Sequence, residues 1–215
     1  MILTALVTQL LAFSSSEAQQ SFEWNGHRYK LSKPSQYEFF QNSEYNDMTI
    51  SEFTKTYCFS DGLEIHDFEL LVPGDMKKLP IIHFYTMDAL NGQTVSIDEF
   101  TGYRAYWKDA FTKGGYTELF TVLDSLTVCE YIASNSKIQR SSVVYEDDQR
   151  LTIWYMVKGL VGNEEVTLSV VSNFLYLDGD IIFIKANNVI DDYSSAKQVL
   201  KQSNKMVTTF LSENQ

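Results

Sequence analysis

The chain is poor in the residues from which most recognisable sites are built. It has two cysteines, Cys58 and Cys129, too far apart for a C-x-x-C redox pair or a zinc motif. Its three histidines, His27, His66 and His83, show no paired short spacing, which argues against a zinc centre of three or four converging ligands. Three prolines and ten glycines in 215 residues leave no room for a Pro- or Gly-rich linker. Neither G-x-x-x-x-G-K nor G-x-G-x-x-G occurs, so phosphate binding through a glycine loop is unsupported. The G-x-S-x-G elbow of serine hydrolases is also missing. Serines cluster instead at 14–16, 141–142 and 194–195, where leader, loop and helix cap explain them. No metal and no cofactor is expected.

Basic residues are scarce as well. Seventeen Lys and Arg stand against 28 Asp and Glu, a formal charge of −11. A nucleic-acid partner needs clustered cations to neutralise phosphates, and the longest contiguous basic feature is Lys77-Lys78. The acidic groups at Glu146-Asp147-Asp148, Asp178 with Asp180, and Asp191-Asp192 lack the periodicity of a calcium loop. A turn, a hairpin and a helix N-terminus account for them in that order.

No apolar run is long enough to span a bilayer as a permanent helix. The longest, Ile2–Phe13, opens the chain and is followed by small residues around Ser16-Glu17-Ala18. This reads as a secretory signal peptide over 1–18, although no Lys or Arg precedes the apolar run. A single domain over 19–215 would remain, periplasmic or secreted, with no integral membrane segment. In an oxidising compartment Cys58 and Cys129 are two buried thiols or one disulfide. A bridge closing so long a loop would add roughly 4 kcal/mol.

What the chain has in abundance is aromatic and β-branched residues in alternation, with 13 Tyr and 14 Phe. Asp178-Gly179 is a strong hairpin signal, since a type I′ turn needs φ > 0 at both central residues. Pairing outward sets Tyr176 opposite Ile181 and Phe174 opposite Phe183. A second turn at Gly162-Asn163 sets Val157 opposite Leu168, Tyr155 opposite Val170 and Leu151 opposite Phe174. Both registers place Leu151, Ile153, Tyr155, Val157, Val166, Leu168, Val170, Phe174, Tyr176, Ile181 and Phe183 on one face. A one-residue slip in either would scatter that set, so a three-strand antiparallel meander is predicted.

Upstream, Phe22–Leu31 reads as a hairpin turning at Asn25-Gly26. Thr49–Phe59, Leu63–Val72, Ile81–Met87, Val128–Ala133 and Ser142–Glu146 read as strands. Two helices are predicted. The first starts at a Ser96-x-x-Glu99 capping box, carries Ile97, Phe100, Arg104, Trp107 and Phe111 on one stripe, and stops at Gly114-Gly115. The second buries Ala196, Val199, Leu200, Ser203, Met206, Val207, Phe210 and Leu211, with Asp192 or Ser194 as cap. They cover the sheet on both faces or along one edge. The fold class is α+β, an antiparallel sheet covered by amphipathic helices.

The element order, from the opening hairpin near Lys33-Pro34 through the helix at Phe100–Phe111 and the meander to the final helix after Asp191–Ser195, resembles the PsbP-like sandwich fold. That fold is shared by an extrinsic photosystem II subunit and a nuclear-import GTPase-binding factor. The resemblance implies a non-enzymatic adaptor that docks on another protein, and it carries no site residue over.

From the residues themselves, Tyr103, Tyr106 and Trp107 on one helix form a candidate ligand or partner surface, with Trp107 on the core side. His66 and His83 are further candidates, expected at the surface or a sheet edge and held apart along a strand pair. Three functions stay open: an exported binding or adaptor protein, an extracytoplasmic hydrolase, and a carrier of a small apolar ligand. The adaptor is the reading adopted.

Overall fold

A computed structural model describes residues 19–39, 65–75, 78–87, 92–112, 137–161 and 164–215. The leader, Cys58, Cys129, the expected strands at 49–59 and 128–133, and Gly114-Gly115 lie outside these residues.

The described chain is α+β. β1 (Gln19–Trp24) and β2 (His27–Ser32) form a separate two-stranded sheet. β3 (Tyr37–Phe39), β4 (Ile65–Pro73), β5 (Ile81–Met87), β6 (Lys137–Glu146), β7 (Arg150–Val161), β8 (Glu164–Leu177) and β9 (Asp180–Ile190) form a seven-stranded sheet in the order β3-β4-β5-β9-β8-β7-β6. Its described pairings are all antiparallel. The helices are α1 (Ile97–Thr112), between β5 and β6, and α2 (Tyr193–Asn214), at the end. Among the described residues no helix is long and apolar enough to cross a membrane.

Both registers expected from the turns are present: Val157↔Leu168, Tyr155↔Val170 and Leu151↔Phe174 in one hairpin, Phe174↔Phe183 and Tyr176↔Ile181 in the other. Asp178 (φ 52) and Gly179 (φ 91) make the second turn, and Asn25 (φ 48) and Gly26 (φ 81) repeat the solution between β1 and β2. The meander has four strands rather than three, because β6 pairs with β7 through the turn at 147–149. β6 carries two bulges, which bend an edge strand and blunt it against stray pairing. β5 joins β9, so the connection holding α1 crosses from the middle of the sheet to its far edge.

One helix lies on each face. α1 packs on the face of Leu151, Phe174 and Phe183, with Phe100 stacked on Tyr176 and Phe111 against Tyr155. Ile97 departs from the expected stripe and is 41% exposed, because it is the first helical residue and points away from the sheet. α2 covers the other face over β8 and β9. Asp192 caps it, accepting from the Ser195 backbone at 2.7 Å, which holds its carboxyl below the usual range. Ala196, Val199, Met206, Val207 and Phe210 are buried, and Phe210 also closes on Phe84 and Tyr29, tying the first hairpin to the core.

The face under α2 is polar at half its positions, yet Thr152, Ser169 and Asn173 are buried there. Asn173 resolves this conflict: its Nδ2 donates to Ile184 O and to Ser203 Oγ, both at 2.9 Å. Its Oδ1 accepts from Thr152 Oγ1 at 2.8 Å and from Arg150 Nη2 at 3.2 Å. Each buried polar group therefore finds a partner, and the network holds α2 in one register on the sheet.

Candidate functional site

α1 is the element that offers a surface. Its first turn is closed by the capping box: Ser96 N donates to Glu99 Oε2 at 2.8 Å, and Glu99 N donates to Ser96 Oγ at 3.2 Å. The bond from the Ser96 backbone keeps the Glu99 carboxyl below the usual range. Farther along, Lys108 Nζ reaches Glu146 Oε2 on β6 at 2.6 Å, with Arg104 on the same carboxylate at 3.9 Å. The Ser141 hydroxyl donates to Phe111 O. The helix is thus pinned at its start and at its second half.

Between those pins stands an aromatic column. Trp107 is half-buried and lies flat on Phe174, with ring centroids 4.3 Å apart. Phe183 meets it edge-on at 5.5 Å and stacks in turn on Tyr85. On the outer side Tyr103 stacks on Trp107 at 5.7 Å and is 41% exposed. Tyr106 is 58% exposed. Tyr103 therefore rests on a Trp107 anchored in the core, and Tyr106 stands exposed beside them on the same helix. Such a ledge can offer flat apolar area with hydroxyl tips to a partner at little cost in side-chain entropy.

The histidines are placed differently. His83 is completely buried in β5, opposite Leu70 on one side and Lys185 on the other. Its Nε2 is 2.8 Å from Asn187 Oδ1, and burial pushes its pKa down to about 3. The expectation of a surface or edge position for His83 is corrected: β5 becomes an interior strand because β9 pairs with it, a long-range contact with no local signal. His66 pairs with Thr86 in β4, so the two histidines do stand apart along the strand pair as expected. The side chain of His66 lies outside the described residues.

A cluster that sequence reasoning missed surrounds Asp180. Its Oδ2 accepts from the Tyr29 hydroxyl at 2.6 Å and stands 2.9 Å from His27 Nδ1. Its Oδ1 accepts from Asn25 Nδ2 at 2.7 Å. Asn25 Oδ1 also accepts from Gly92 N, and Val95 N donates to Gly179 O. Two hairpin tips meet on this one buried carboxylate, and the loop before α1 is bonded to both tips. Burial and the Asp180 hydrogen bond push the Tyr29 phenol above its ordinary range, so it stays a donor. Among the described residues no hydroxyl or thiol besides that of Tyr29 joins the His27–Asp180 pair, and no group of three His, Cys, Asp or Glu could hold a metal ion. The cluster fastens the first hairpin to the last turn of the meander. Its signal in the sequence was the pair of I′-type turns, each followed by a polar residue.

No protein-family model and no curated protein matches the chain. Among solved structures it is similar to the cyanobacterial PsbP, CyanoP, of Synechocystis. Identity there is 11%, over 89% of this chain and 92% of that one, with a TM-score of 0.42. It is also similar to the Ran-binding protein Mog1p of Saccharomyces cerevisiae, with 14% identity, 93% of each chain and a TM-score of 0.28. The resemblance is a weak one, at the level of the fold.

Proposed function

We propose that this is an exported, non-enzymatic binding or adaptor protein that docks on another envelope or secreted protein through the outer face of α1. The observation that carries the reading is the exposed pair Tyr103 and Tyr106, with Trp107 locked behind Tyr103 on Phe174. Tyrosine and tryptophan dominate the energetic centres of protein interfaces, and a ledge already held by core stacking loses little freedom on docking. Export is supported by the leader-like apolar run at 2–13 and the small residues that follow it.

The test is site-specific photo-crosslinking in the source organism, with the crosslinker at position 106 and, as a control, at Glu23, exposed on β1. One defined polypeptide should crosslink from 106 and not from 23, be lost when Tyr103 is changed to Ala, and be attached to a chain that begins near Gln19. Equal labelling from both positions, or labelling indifferent to Tyr103→Ala, rejects the α1 surface. A recovered chain that retains residues 1–18 rejects export.

A further inference from the structure

On the opposite side of the sheet, α2 carries a row of cations at odds with the rest of the molecule. The chain is −11 overall, yet α2 holds three lysines and one glutamate. Lys197, Lys201 and Lys205 recur every four residues, continue the line begun by Tyr193, and are all exposed. Elsewhere Lys33, Lys78, Arg104, Lys108 and Lys158 each pair with a carboxylate. Among the described residues no carboxylate pairs with Lys197, Lys201 or Lys205. Arg140, exposed on β6, reaches toward the same helix, its guanidinium 5.8 Å from the centroid of the Tyr193 ring, and Lys197 Nζ is 5.0 Å from that centroid.

A second observation lies beneath this row. Arg150 is buried, and its partners are neutral oxygens: Thr152 Oγ1 at 2.8 Å, Asn173 Oδ1 at 3.2 Å and Asn204 Oδ1 at 2.8 Å. The ring of Tyr145 stands 4.6 Å from its guanidinium, and Asp147 acts on it only across a longer gap. Buried charges are ordinarily paired with an opposite charge. Here the guanidinium reaches the exposed Asn204, which precedes Lys205 on the helix, so the row of lysines has a further cation at its base.

We infer that the exposed face of α2, with Arg140, docks an extended acidic segment of a protein partner. Along the helix the lysines rise about 6 Å from one to the next, at 1.5 Å per residue. Alternate side chains of an extended peptide project on one side at about 6.7 Å, so successive carboxylates match successive lysines. A short acidic segment senses mainly the cations within a Debye length, about 8–10 Å. A long nucleic acid would also meet the negative surface around them, which favours the peptide. This surface is separate from the aromatic ledge of α1 and does not depend on it.

The experiment measures binding of a short fluorescent peptide of alternating glutamate and serine to the full chain by anisotropy, at low and at high salt. An oligothymidylate of equal length and phosphatidylserine vesicles serve as competing probes. Saturable peptide binding is expected, weakened by salt and about tenfold or more by the combined Lys197→Glu, Lys201→Glu and Lys205→Glu changes. Arg140→Glu, on another element, should weaken it as well, and covers the case in which the triple variant does not fold. Changing Tyr103 and Tyr106 to Ala should leave peptide binding intact, which separates this surface from the first. No peptide binding at low salt overturns the inference, as does binding unchanged by both sets of variants. Tighter binding of the oligonucleotide, or flotation with vesicles, overturns it in favour of that partner.

Discussion

The hydroxyl of Tyr29 stands 2.6 Å from Oδ2 of Asp180, although 151 residues separate the two in sequence. Through that bond the opening hairpin is fastened to the last turn of the meander, and His27 and Asn25 complete the fastening. Asp180→Asn puts an amide donor where the carboxylate accepts three bonds. A loss of about 2–4 kcal/mol is expected. Tyr29→Phe alone should cost about 1–2 kcal/mol. Urea denaturation of both single variants and the double should give a coupling of about 1–3 kcal/mol; strictly additive losses would show that the two groups do not act together.

Gly179 is constrained twice over. Its φ of 91° lies where side chains are rarely tolerated, and a Cβ would fall 2.3 Å from Thr94 Cγ2. The Thr94 methyl is the free end of an exposed side chain and can turn aside, so the backbone term dominates. Gly179→Ala should destabilise by about 1–2 kcal/mol. Adding Thr94→Ser, which removes the methyl, should recover less than half of the loss. Full recovery in thermal melts would show that the contact, not the turn, is limiting.

Burial lowers the His83 pKa from 6.5 to about 3. Above pH 6.5 the ring is neutral in both states and has no effect on stability. Below it the unfolded chain binds a proton that the folded chain refuses, so stability falls by about 1.4 kcal/mol per pH unit down to about pH 3. Unfolding free energies from urea denaturation of the parent protein and of His83→Gln, compared from pH 7 to pH 4, should diverge in slope by that amount. Parallel curves would mean that the buried ring does take up a proton.

Asn173 serves Arg150, Thr152, Ser203 and the Ile184 carbonyl at once. Asn173→Leu keeps the branched shape and removes all four bonds, so a loss of about 3–5 kcal/mol is expected in equilibrium unfolding. Ser203→Ala removes one bond and should cost about 1 kcal/mol. Similar losses for the two would show that Asn173 is not the centre of the network.

Much of the fold could be read along the chain because its determinants are local. Asp178-Gly179 and Asn25-Gly26 dictate their turns by φ, and a turn sets register for every pair that follows. The capping box at Ser96 and Glu99 and the cap at Asp192 mark both helix starts. The outward placement of Tyr103 and Tyr106 follows from helical spacing once Trp107 takes the inner position. The lysine row of α2 was equally local, but a search for adjacent basic residues passes over cations spaced by four.

The remainder depended on which distant segments meet. No local pattern makes β5 pair with β9, and that pairing alone carries His83 from an expected edge into the interior. Polar residues at 152, 173 and 203 resemble a wetted face until Asn173 joins them beneath α2. Asp180 likewise looks like a hairpin residue until a second hairpin, early in the chain, closes over it. Periodicity and turn chemistry are properties of neighbours in sequence. Burial of a charge or an amide is favourable only when its partner arrives, and that partner comes from elsewhere in the chain.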